Sequence, residues 1–597
     1  MPFSLSLDTG VKGRRKRTEV SVRYYSDEKG FERVVERLIF TIRSSHETAS
    51  HVADSLLKRF MEAKVDIATN LVSLQMDSCS VMRGKKTGLL KRISNVATSV
   101  MDCDVGGDGL HHVHNAEKKA FKEIFPEVIK LLENVKFDIG KSPGKIEDYI
   151  AACKVVGDKP VIPTSYCISR FLDRYEAIQD TIDHIDSLIE YYKEAKIPRK
   201  RTGIKDDVKK YKLEDDLEEE DNSDEDFRGN PAARVQYMKR ILDDDHIVGT
   251  ELQLVVSLSC LKSGYDFLRI VQGKEVKIHL LYQAYRDLLF SVLCQPQSLK
   301  NSRGEVLSGK ELKFLKLETE EERKVRRRQE TVVKVQKKKS EFFRHGVLRE
   351  EKDCLLSKAV REEVTILVQR YNIPGRMEKM LEEARRRRYK FLVELAKALQ
   401  HYLPLDKDFL QWLKFICPKY FLESDESEEY LVKIALSTPG VCEEDVDDLR
   451  QEIRILKGKR KEVFEENLED YIVNIKYGYK KVKGSNPVES IDQVWAPVLK
   501  NEDFPVLAEV LRSTISIFHA TASVEGAVNI TRNIMGDRSH RLTDSNLEAR
   551  KIMKSSLKEA PSNCCYDFKV SQNHHSNWKK ANEEWKKSNE TGNKSLC

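Results

Sequence analysis

Two short segments in which apolar and polar residues alternate or an apolar run closes each lead into an aspartate, and this constrains the fold more than any other feature of the chain. In Phe3-Ser4-Leu5-Ser6-Leu7-Asp8 the apolar residues fall on every second position, the pattern of a half-buried strand ending on a carboxylate. A second run, Asn70-Leu71-Val72-Ser73-Leu74-Gln75-Met76-Asp77, ends the same way. Between them, Val20, Val22 and Tyr24 mark one face of another strand, and the segment from Phe31 to Ser44 reads as a third, joined to it by the turn-rich Ser26 to Gly30. The period then changes. Ser44 and Glu47 have capping-box spacing, and Ala49, Val52, Ala53, Leu56, Leu57 and Phe60 form a helical stripe. The expected order is therefore strand with Asp8, strand, strand, helix, strand with Asp77.

Two carboxylates at the ends of two strands could suit divalent-metal chemistry at a phosphodiester, which needs hard oxygen ligands a few ångströms apart on rigid elements. A strand-end Asp serves equally as a turn or cap residue. The rest of the chain has no phosphate-binding loop of the G-x-x-x-x-G-K-[ST] type and no G-x-S-x-G elbow, so nucleotide hydrolysis and serine-hydrolase chemistry have no motif. Lys and Arg number 104 against 97 acids, a net +7, which permits a nucleic-acid partner without requiring one. Twelve Cys without regular spacing read as reduced thiols, and no apolar run reaches the ~20 residues of a membrane helix. The expectation is a nuclear protein, with the cytosol as alternative, and no membrane partner.

From about residue 165 to about 500 long charged segments carry apolar residues at helical spacing. Basic clusters at Arg326 to Arg328, Lys337 to Lys339 and Arg385, Arg386, Arg387 and Arg388 read either as solvated helix faces or as contacts to a DNA backbone. The acid-rich stretch from Lys205 to Asp226 and the segment after Ala560 have the composition of disordered chain. Gly13 to Arg17 reads as a charged hairpin turn or a nuclear localisation signal.

The strand-Asp order resembles the RNase H-like nucleases and transposases, and residues 504 to 557 narrow the resemblance to the C-terminal dimerisation region of hAT-superfamily DNA transposases. There Ser523-Val524-Glu525 stands where that family places its third catalytic acid, and Arg538, Arg541 and Leu542 fit a later element, with Gly526 departing from the usual Arg. Read from its residues alone, Glu525 is equally an exposed helix acid favoured by the macrodipole. The family's Cys-x-x-His pattern is kept only at His112, with Gly109 in the cysteine position, and its Thr-Arg-Trp is replaced by Ser169-Arg170-Phe171. His111, His112, His114 and Cys103 lack the compact second ligand pair of a zinc site, so no zinc is expected.

The resemblance implies an α/β RNase H-like core, a mixed sheet with flanking helices, interrupted by a large all-α insertion domain and completed by C-terminal dimerisation helices. The expected units are 1–160 for the first part of the core, 161–500 for the insertion with its acidic loop at about 205–230, 501–558 for the dimerisation region, and 559–597 for the tail. Asp8, Asp77 and Glu525 would hold Mg2+ or Mn2+ for DNA strand cleavage and transfer. His112, Arg170, Phe171 and Arg385 to Arg388 would contact DNA, and the protein would form a homodimer or higher oligomer, supported by the apolar Leu507, Val510, Leu511, Ile515, Ile517 and Phe518, which read equally as core. The family usually carries a BED zinc module ahead of the core, and this chain begins almost on the first strand, so a transposon-derived copy without that module is expected. The alternative is a catalytically inactive domesticated protein that dimerises and binds DNA or another protein.

Overall fold

The computed structural model describes residues 1–12, 15–28, 33–44, 48–77, 79–139, 143–163, 173–195, 231–271, 276–292, 307–319, 321–325, 345–347, 351–464 and 490–521. Glu525, Arg170, Phe171, the clusters Arg326 to Arg328 and Lys337 to Lys339, the acidic stretch and the segment after Ala560 lie outside them.

The protein is mostly helical, with one small mixed sheet. Its strands are β1 (Phe3–Lys12), β2 (Arg15–Ser26), β3 (Arg33–Ser44) and β4 (Leu71–Gln75), in the order β3-β2-β1-β4. The first three pair antiparallel and β1 pairs parallel to β4. The β1–β2 register runs as far as Lys12↔Arg15. Strand β1 outruns the sequence-based expectation: Asp8 pairs with Glu19 and four more residues follow. The partner strand β4 is the short one, and its pairing with β1 stops at Ser6↔Gln75.

Helix α1 (Ala49–Glu62) crosses from β3 toward β4, and Thr48, rather than Ser44, caps it by accepting from His51 N at 3.2 Å. Ser44 is still in β3, held by its pairing with Lys16. The apolar face of the sheet, with Phe3, Leu5, Leu7, Val20, Phe40 and Ile42, closes on α1 and on three short helices, α2 (Ile67–Asn70), α4 (Leu89–Ser94) and α5 (Ser99–Asp102). Between α2 and α4 lies the single turn α3 (Ser80–Arg83).

The other face overturns the half-buried expectation. Ser4, Ser6, Ser21, Arg23, Ser73 and Gln75 are all buried, because helix Pro505–Ile515 and the residues after it lie over them. Several of their polar groups find partners: Ser73 Oγ donates to Ser4 Oγ at 3.1 Å, Ser4 Oγ lies 3.3 Å from Ser516 Oγ, and Arg23 pairs with Glu36 at 2.7 Å with its guanidinium 4.6 Å from the Phe518 ring. Ser6 Oγ and Gln75 Nε2 have no hydrogen-bond partner among the described residues, an unfavourable burial that the paired groups offset.

Helix α6 (Gly109–Ile124) leads into the helical part of the chain and packs against helix Met377–Tyr402 and helix Ile247–Val271. One hydrophobic cluster runs without interruption from Tyr25 and Val72 of the sheet through these helices to Ala520. Within it Leu507, Val510, Leu511 and Ile515 are fully buried, and Ile517 is too, while Phe518 is buried against Arg23; all six expected dimer-face residues are therefore core of a single chain. Among the described residues no helix is long and apolar enough to cross a membrane.

Candidate metal centre

Register brings the two strand aspartates together. Ser6 and Gln75 are directly paired across the parallel β1–β4 ladder, and Asp8 and Asp77 are each two residues further on. Side chains two apart point to the same face and neighbouring strands lie ~4.8 Å apart, so both carboxylates project from one edge of the polar face.

A third carboxylate arrives from α6. Asp108 caps this helix, its Oδ1 accepting from Leu110 N at 3.0 Å, and one turn later His111 lies on the same helix face. His111 Nε2 is 2.8 Å from Asp77 Oδ1 and 3.7 Å from Asp108 Oδ2. One ligand atom from each of Asp77, Asp108 and His111 falls within 4.8 Å of the others. Thr521, at the C-terminal side of helix Pro505–Ile515, donates its hydroxyl to Asp108 Oδ2.

Electrostatics set the cluster apart from the other buried acids. Burial, and then the Asp77 charge, push the Asp8 carboxyl up to about 7, against the opposing pull of His111. Burial raises Asp108 as well, with His111 and the Thr521 hydrogen bond opposing. Among the described residues no Lys or Arg pairs with Asp8, Asp77 or Asp108; negative charge converges on one imidazole. Asp104, four residues before Asp108, is the contrast. It is equally buried, but Arg83 at 2.6 Å and Lys407 at 2.7 Å outweigh the burial and hold its carboxyl below the usual range.

The Asp104–Asp108 loop is rigidly built. Gly106 and Gly107 both have positive φ, +96° and +100°, and a Cβ on Gly106 would meet Pro404 at 2.2 Å. Gly106 N donates to Asp104 Oδ1 at 3.0 Å, and His112 Nε2 lies 3.0 Å from Gly106 O, where only a protonated Nε2 makes a bond. His112 is thus a buried brace of this loop, its ring pushed down to about 4 by burial, and it faces away from the carboxylates. Neighbouring residues on a helix point ~100° apart, and His111, not the His112 expected to contact DNA, is the one turned to the cluster. The four-residue spacing sought at Gly109 and His112 is filled one position earlier by Asp108 and His111. No cysteine could replace Gly109 without displacing Tyr285, whose hydroxyl lies 2.0 Å from where a Cβ would stand.

Sequence reasoning missed Asp108 and His111 as partners of Asp77. The available signal was an Asp immediately before a helical apolar stripe (Leu110, Val113, Ala116, Ala120), the mark of an N-cap. On the basic cluster, Arg386 and Arg387 fold back on Glu383 at 2.5 and 2.7 Å, and Arg388 donates to Ser259 Oγ at 2.5 Å.

The carboxylates of Asp77 and Asp108 and the His111 imidazole, with the Asp8 carboxylate beside them, fit a divalent cation such as Mn2+ or Mg2+, for which carboxylate oxygens are the natural ligands and to which the imidazole adds a donor better suited to Mn2+. No protein-family model matches the chain, and no curated protein matches it.

Proposed function

We propose that the protein is an hAT-like, transposon-derived nuclease and strand-transfer enzyme that acts on DNA phosphodiesters through an RNase H-like core. The observation that carries this reading is the cluster of Asp77 with Asp108, the cap of α6, and His111 of that helix, with Asp8 from the adjacent parallel strand close enough to feel their charges. The strand order β3-β2-β1-β4 with β1 and β4 parallel supports it, since the resemblance requires those two strands side by side. So does the path of the C-terminal segment, which reaches Asp108 through Thr521.

Asp8, Asp77 and Asp108 would hold the divalent cation, with Glu525 as the family's third acid and His111 beside them. When bound, such a cation supplies Lewis acidity at a phosphoryl oxygen and charge stabilisation in an in-line displacement. The chain's own part is orientation. The β1–β4 ladder fixes two carboxylates, the α6 cap fixes the third, and His111 Nε2, hydrogen-bonded to Asp77, sets the rotamer of that carboxylate. Asp8, near half-protonated at neutral pH, must release its proton for the full negative charge to form.

The test is nicking of a supercoiled plasmid with Mg2+ or Mn2+, beside an Asp77→Asn variant. Cleavage by the wild type and its loss in the variant support the reading. Retained DNA binding with no cleavage by either protein replaces it with the domesticated, non-catalytic reading.

A further inference from the structure

Directly beyond Asp77 the chain carries Gly84-Lys85-Lys86-Thr87-Gly88, a loop pinched shut at its base. Gly88 N donates to Gly84 O at 2.9 Å. A Cβ on Gly88 would lie 2.4 Å from Gly84 N and 2.6 Å from Gly84 O, and one on Gly84 would lie 2.3 Å from Ser80 O, so only glycine at both positions allows the closure. Two side chains fasten the loop further. Arg92 Nε donates to Thr87 O at 3.1 Å, and Arg83, next to Gly84, donates from its Nη2 to both carboxylate oxygens of Asp104, at 2.6 and 2.7 Å. Because Asp104 also holds the backbone of the loop leading to Asp108, the stem of the lysine loop and the carboxylate cluster share one anchor.

At the tip Lys85, Lys86 and Thr87 are exposed, and neither lysine has an ion-pair partner among the described residues. Two adjacent ammonium groups on a pinned backbone repel each other, and a polyanion is the ligand that relieves this. A pinned loop also loses less conformational freedom on binding than a free one does.

Resting on the nucleic-acid reading above, we propose that Gly84 to Gly88 is a phosphate clasp, in which Lys85 and Lys86 bind a backbone phosphate flanking the one presented to Asp8, Asp77, Asp108 and His111. The contact is with phosphate oxygens, so it orients the strand without reading its sequence.

The experiment measures the affinity of the full chain for a short labelled DNA duplex in EDTA over a series of salt concentrations. The expected result for the Lys85→Ala/Lys86→Ala variant is roughly tenfold weaker binding and a log K against log salt slope shallower by about 0.9, for the one phosphate charge no longer neutralised. Its unfolding temperature and its Mn2+ affinity should match the wild type, and Lys85→Arg/Lys86→Arg should keep most of the binding. Unchanged affinity and slope in the alanine variant, with wild-type binding intact, overturn the clasp and leave the metal-nuclease reading standing. A wild type that binds Mn2+ but no DNA even at low salt overturns both.

Discussion

Asp8 is held at a position where its charge is unfavourable, and removing that charge should stabilise the protein while disabling the site. Its carboxyl is pushed from 3.8 to about 7. At ~1.36 kcal/mol per pH unit this corresponds to at most ~4 kcal/mol between the protonated and ionised forms, and water contact at a half-buried group reduces it to about 2 kcal/mol. The sign follows from linkage. The folded value lies above the unfolded one, so the folded state binds the extra proton, and stability declines as pH rises from about 4 until Asp8 has ionised above about 7. Asp8→Asn removes the ionisation. The variant should unfold a few degrees above the wild type at pH 8 and by a smaller margin at pH 5, where the folded Asp8 is still neutral and only the unfolded chain has ionised. Saturating Mn2+ should reverse the order at pH 8, since a ligand at ~100 times its Kd stabilises the wild type by ~2.7 kcal/mol and the variant lacks a ligand group. Thermal unfolding at the two pH values, with and without Mn2+, measures all of this. A variant less stable than the wild type by the same amount at both pH values would refute the assignment of Asp8 as a destabilised, charge-crowded carboxylate.

Other consequences follow from the same geometry. Mn2+ affinity should fall close to tenfold per unit as pH drops below about 7, because Asp8 must lose its proton first, and titration calorimetry at pH 5.5, 6.5 and 7.5 reads the slope. Gly109→Ala should destabilise the protein by about 1–3 kcal/mol through overpacking against the Tyr285 hydroxyl, and Tyr285→Phe should recover part of that loss in a double-mutant cycle of denaturant midpoints. Asp104→Asn removes the partner shared by Arg83 and Lys407 and should destabilise by about 3–5 kcal/mol in the same assay, whereas the exposed pair of Lys433 with Glu429 should contribute under about 1 kcal/mol.

Much of the sheet and one edge of the site were legible in the sequence for a local reason. The alternation from Phe3 to Asp8, the matching run into Asp77 and the helical stripe from Ala49 to Phe60 each report burial of one face within one element. The pairing of Asp8 with Asp77 was implied by the resemblance, because periodicity within each strand does not say which strands lie side by side. The boundaries were less legible. Strand β3 runs on to Ser44, and the cap moves to Thr48, because pairing with β2 continues past the point where the side-chain pattern changes.

What the sequence by itself determined was the succession of strands and helix along the chain, the apolar face of each strand and the two aspartates that follow the apolar runs; each follows from side-chain periodicity within a few residues. Only the tertiary structure decided which histidine turns toward those aspartates, that Asp108 joins them, and that the serine face of the sheet is buried. His111 is selected over His112 by the rotation of α6, and that rotation depends on the α6 cap, on Tyr285 against Gly109 and on Pro404 against Gly106. Ser4 is buried because Ser516 covers it, and Asp108 is held because Thr521 reaches it. Such contacts join residues hundreds of positions apart, and periodicity along the chain carries no information about which distant segment will supply them.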